Sequence, residues 1–71
     1  MTVGERIKAL KEAKGWTRTK LAQKSGISQS IISLYESDKV EISFFKAMCI
    51  STALGVSLEY LAGRSGQQNE N

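Results

Sequence analysis

The stretch from Arg18 to Ser37 constrains this chain more than any other, because two helix starts and one tight turn follow each other there at close quarters. Thr17 and Ser28 each stand just before a run that can be helical. Their hydroxyls are suited to accept backbone N–H groups that a helix start leaves without partners. Between the runs lies Ser25-Gly26-Ile27, a turn built around a glycine. Ile27 precedes the second cap and stands five positions before Ile32, the spacing of a hydrophobic staple that fixes the angle of entry into a helix. The pattern predicts two helices of about eight residues each, joined at a set angle.

The second helix divides into two faces. At about 100° per residue, Ile31, Ile32 and Tyr35 fall on one side, while Gln29, Ser30, Ser33, Leu34 and Ser37 spread over the other. The apolar side is expected to pack inward. The outward side is short, uncharged and rich in hydrogen-bonding groups, whereas a helix built only for solubility would more often carry Lys and Glu. Small serines let a helix backbone come close to another surface, and a Gln amide can bond adenine through N6 and N7 together. A serine-rich solvated face is the plainer reading; the order of elements weighs against it. Two angled helices across a Gly-containing turn form a helix-turn-helix, whose best-attested use is reading the DNA major groove.

The residues Gly15-Trp16-Thr17, Leu21-Ala22, Gly26-Ile27-Ser28, Ile32-Ser33, Tyr35-Glu36 and Lys39 resemble the helix-turn-helix of Cro and lambda-type phage repressors. The resemblance runs on through Ala53-Leu54-Gly55-Val56-Ser57 and Glu59-Tyr60-Leu61, and covers residues 4–62 without a gap. It implies an all-α, five-helix lambda-repressor-like domain that binds double-stranded DNA as a transcriptional regulator, a repressor acting as a homodimer on a palindromic operator. The recognition helix would be Gln29 to Ser37. By position, Gln29 and Ser30 match residues that reach base edges, and Ser33 and Leu34 match later reading positions, where a polar residue is commoner than Leu. Arg18 matches a position often held by Gln, which touches the DNA backbone and braces the base-reading residue. Lys11 matches a basic residue that often pairs with the acid at Glu36. Backbone contacts are expected from Thr17, Arg18, Ser28 and Lys39. Two departures stand out. Ser25 occupies a position that is usually apolar, and Val40-Glu41-Ile42 replace a loop that often holds cations and proline, leaving Lys39 as its one cation.

Charge is unevenly spread. Residues 1–24 carry seven cations against two acids, a net of +5, and residues 25–71 carry three against five, a net of −2. Positive charge on the first two helices suits a duplex, because neutralising phosphates supplies most non-specific affinity. A solvated basic face would look the same by charge alone.

The remaining sequence supplies a scaffold. Thr2-Val3-Gly4-Glu5 has capping-box spacing, so the first helix should start near Val3 and bury Val3, Ile7 and Leu10. Gly15 is placed to end it in the left-handed conformation. Ser43 should cap a fourth helix that ends before Gly55, and Ser57 a short fifth one with Glu59 in its first turn. On the fourth helix, Phe44, Ala47, Met48, Ile50 and Leu54 form one broad side expected in the core. Phe45, Cys49 and Ala53 form a second apolar stripe. Either the fifth helix covers it through Tyr60 and Leu61, or it is a two-fold dimer interface of Phe45, Cys49, Ala53 and Tyr60. The domain is expected over residues 1–62, with 63–71 a polar, disordered tail.

Seventy-one residues make one domain. The single cysteine allows no intrachain disulfide, and no signal peptide or membrane-length apolar run is present, so the chain is read as cytoplasmic. With no His, no metal-ligand cluster and no base beside Cys49, neither an enzyme nor a cofactor or metal site is expected. The alternative function is a protein-interaction module of the same fold, such as an antitoxin-type neutraliser, which the acidic Val40-Glu41 loop would suit.

Overall fold

A computed structural model of the chain describes residues 1–63; residues 64–71, most of the expected tail, lie outside the described residues. Five helices follow one another: α1 (Val3–Ala13), α2 (Arg18–Ser25), α3 (Gln29–Glu36), α4 (Phe44–Leu54) and α5 (Leu58–Ala62). No strand occurs among the described residues.

Each helix starts on a hydroxyl. The Thr2 side chain accepts from the Glu5 amide at 3.0 Å while the Glu5 carboxylate accepts from the Thr2 amide at 2.9 Å, closing the capping box. Thr17, Ser28, Ser43 and Ser57 accept from the amides of Lys20, Ile31, Lys46 and Tyr60 in the same manner. The turn between α2 and α3 needs Gly26, whose φ of 79° lies in the left-handed region and whose N–H closes α2 onto Ala22 O at 2.8 Å. Ser25, the departure from an apolar residue, is half-buried, and its hydroxyl accepts from the Ile27 amide at 3.2 Å. A polar side chain therefore secures the turn there instead of filling the core.

The core takes a residue or more from every helix. Ile7, Leu21, Ile32, Ile50 and Leu61 are fully buried, and Ile27, Tyr35, Ala47 and Leu54 surround them. Each large aliphatic side chain so buried contributes about 1.5–3 kcal/mol. Ile27 and Ile32, the two members of the expected staple, both lie in this cluster. Helix α1 packs on α3 and α5, and α2 packs between α3 and α4.

Helix α4 corrects one expectation. Phe44 and Met48 are not core residues; they are 70% and 43% exposed. The buried arc is Ala47, Ile50, Ser51 and Leu54. Ser51 takes an inward position, donating its hydroxyl proton to Met48 O at 3.0 Å, while Met48 and Phe44 lie outside the buried arc. Apolarity alone did not place the arc, because a serine bonded to its own helix packs as a small side chain.

The first helix is tied to the loop that follows α3. Asp38 adopts a φ of 59°, and its carboxylate accepts from Thr2 Oγ1 at 2.6 Å and from the Gly4 amide at 3.1 Å. Asp is among the few residues that tolerate this conformation, and an acid at a helix N-terminus complements the dipole. Gly4 is buried against the same loop, where a Cβ would overlap the Tyr35 carbonyl oxygen and come within 2.6 Å of Asp38 Oδ1.

Candidate nucleic-acid interface

Helix α3 is amphipathic in the expected sense. Ile32 and Tyr35 are buried and Ile31 is half-buried, while Gln29 and Ser30 are exposed, Ser33 is half-buried and Leu34 is 36% exposed. Gln29, Ser30 and Ser33 line one shallow surface hollow together with Arg18 of α2. Leu34 is not part of that lining and stands at the edge of the same helix. The Ser37 hydroxyl is turned back on its own helix, donating to Ser33 O at 3.0 Å and Leu34 O at 3.3 Å.

Helix α3 ends on a charged residue at the border of its two faces, one turn after the buried Ile32. Glu36 is buried, with its side chain 3% exposed. Lys11, itself buried, sets its ammonium 3.0 Å from Oε2 and donates to Oε1 at 3.3 Å. Arg18 Nε donates to Oε1 at 3.0 Å. The Lys11–Glu36 pair matches what the resemblance implied; the bond from Arg18 is an addition to it. A buried carboxylate needs such partners, since an unpaired buried charge is strongly destabilising.

Bracing of Gln29 does not come from Arg18. Thr19 Oγ1 donates to Gln29 Oε1 at 3.1 Å. That carbonyl keeps a second lone pair, and the amide NH2 stays available, so both groups needed for adenine remain presented. Thr19 was not singled out from sequence. Its place as the second residue of α2, opposite the first residue of α3, was the available signal.

The expected backbone-contacting residues sit around this face. Thr17 and Ser28 occupy the N-caps of α2 and α3; their hydroxyls accept from the helix and still have a proton to donate. Lys39 lies exposed in the loop after α3. Val40 and Glu41 beside it are exposed too. Of the seven cations in residues 1–24, three are engaged among the described residues: Lys11 and Arg18 on Glu36, and Arg6 on the carbonyls of Leu61 and Met1. Lys8, Lys14, Lys20 and Lys24 are exposed, with Lys14 5.1 Å from the Trp16 ring centroid.

The second apolar stripe of α4 is divided. Helix α5 packs on α4, Leu61 is buried, and Cys49, Ala53 and Tyr60 are half-buried. Phe45 is left 67% exposed beside Phe44 and Met48.

With this geometry, residues 7–61 match the model of a helix-turn-helix family. This chain belongs to that family. It is 33% identical over 63 residues to the immunity repressor protein of Bacillus phage phi105, a match covering 89% of this chain and 44% of the repressor. The chain thus spans less than half the length of that relative. Among solved structures it is similar to the P22 c2 repressor protein in complex with synthetic operator 9T, with 28% identity, a TM-score of 0.84, and coverage of 92% of this chain and 98% of that one. It is also similar to the restriction-modification controller protein C.AhdI from Aeromonas hydrophila, with 29% identity, a TM-score of 0.80, and coverage of 83% and 89%. The fold expected for the family, five helices with the helix-turn-helix at α2 and α3, is the one observed. No helix among the described residues is long and apolar enough to cross a membrane.

Proposed function

We propose that this chain is a sequence-specific regulator of transcription that binds double-stranded DNA, a cytoplasmic repressor that lays α3 in the major groove. The observation that carries this reading is the outer face of α3. Gln29, Ser30 and Ser33 are short, uncharged and hydrogen-bonding, and they gather in one hollow on a fold shared with a repressor crystallised on its operator. Gln29 reads an adenine, Ser30 and Ser33 allow close approach, and Leu34 offers an apolar contact to a thymine methyl group. Thr17 and Ser28 present hydroxyl and amide donors to phosphate at two helix starts, and Lys39 adds a cation from the loop. Arg18 is a separate case, because Glu36 holds its guanidinium over the reading face.

The chain acts as a homodimer on a palindromic operator. Phe45, with Cys49, Ala53 and Tyr60 around it, forms the self-complementary surface, and the exposed Phe44 and Met48 extend it. No cofactor or metal takes part in this account.

Titration with mixed genomic DNA at two salt concentrations tests the function. Binding should weaken as salt rises, with log K falling by about 0.9 unit per log unit of salt for each phosphate neutralised. Failure to bind duplex DNA at low salt would reject this function and favour the protein-interaction module.

A further inference from the structure

Resting on the reading of α3 as a DNA-reading helix, we propose that Arg18 is itself a base-reading residue. Its guanidinium recognises a guanine next to the base pair contacted by Gln29.

Arg18 opens α2, but its side chain does not stay at that helix start. Its Nε is bonded to Glu36, the last residue of α3, and it lines the same hollow as Gln29, Ser30 and Ser33. The anchor is firm, since Glu36 is buried and is held from its other side by Lys11. A guanidinium carries five N–H donors. One is spent on Glu36, and among the described residues neither Nη has a hydrogen-bond partner. The outer edge of the guanidinium therefore keeps two parallel N–H groups, the fork that matches O6 and N7 of guanine. Among the described residues, Arg18 is the one charged side chain lining the hollow, and it is 44% exposed.

The bracing role that the resemblance implied for this position is filled by Thr19, which bonds Gln29. Arg18 is thereby free of it. A phosphate oxygen also accepts hydrogen bonds from a guanidinium. The position among the groove-facing residues of α3, with Thr17 and the helix starts serving phosphate, points to the base.

The test uses the full chain and the duplex it selects from a random pool. Each guanine is replaced in turn by 7-deazaguanine, which lacks the N7 acceptor. For the wild type, replacement of one guanine per half-site should weaken binding about tenfold, and the same replacement should change nothing for Arg18→Ala. Arg18→Lys, which keeps the charge without the fork, should lose most of the preference for that guanine. Insensitivity of the wild type to every 7-deaza replacement overturns the proposal. So does an Arg18→Ala loss that is equal on selected and unrelated DNA with a salt slope shallower by about one unit, the mark of a phosphate contact. If Arg18→Ala loses its helical circular-dichroism signal, the 7-deaza series on the wild type decides alone. A wild type that selects no sequence from the pool overturns the DNA-reading function as well, so the two failures are told apart by the wild type on unmodified DNA.

Discussion

Glu36 joins three elements through one side chain: α3 carries it, α1 supplies Lys11 and α2 supplies Arg18. Losing one partner of a buried ion pair costs about 3–5 kcal/mol, most of it from the charge left behind. The Lys11 partnership was legible in the sequence only through the family resemblance, which matched Lys11 to a basic residue that pairs with the acid at Glu36. The Arg18 bond was not, because it depends on a long side chain crossing from one helix start to another helix's end. Gly4 was read only as part of a capping box, yet among the described glycines it is the one with the least room. Any side chain there meets the backbone of α3 and the Asp38 carboxylate. Gly4→Ala should destabilise the fold by about 1–3 kcal/mol through overpacking against a carbonyl that cannot retreat. Chemical denaturation measures this; a midpoint equal to the wild type would show that the α1 and α3 backbones part at little cost.

At the scale of elements, the helix starts were the most legible feature. All five N-caps fall on the expected Thr and Ser residues, because capping depends on a local hydroxyl and a local amide. Burial on α4 was less legible. Phe44, Met48 and Phe45 are apolar by sequence, but which of them is covered depends on where α2 and α5 meet the helix, a non-local matter. Ser51 shows the converse, a polar residue buried because its hydroxyl is satisfied within its own turn. Asp38 was equally hard to read, although it is exposed. Nothing in the run Ser37-Asp38-Lys39 announces that its carboxylate will cap a helix more than thirty positions earlier in the chain.

For the molecule as a whole, charge and apolar surface carry the argument. The basic first half is less available than its net charge implies, since Arg6, Lys11 and Arg18 are bonded internally. Under the proposed function, affinity would then lean more on base contacts and on pairing two domains over one site. Phe44, Phe45 and Met48 leave roughly 350 Å² of apolar side chain exposed on one protomer. A two-fold dimer covering it would bury about 700 Å² from these residues, less than a stable interface of roughly 1,200 Å² or more. The free dimer should be weak, with DNA completing it. Phe45→Glu should leave the helical circular-dichroism signal intact, because Phe45 is not in the core, while abolishing dimers and cooperative operator binding. A mutant that still sediments as a dimer would place the interface elsewhere, and an unfolded one would assign Phe45 to the fold.

The claim that α3 reads DNA is tested most directly by selecting bound duplexes from a random pool, with wild type and Gln29→Ala in parallel. The wild type should enrich an inverted repeat whose half-site centres lie about 34 Å apart, one helical turn, with an adenine at a fixed place in each half. Gln29→Ala should lose the preference at that base pair and bind the wild-type site more weakly by about 1–3 kcal/mol. A pool that yields no enriched sequence, or a mutant that selects the same site with the same affinity, would contradict the account.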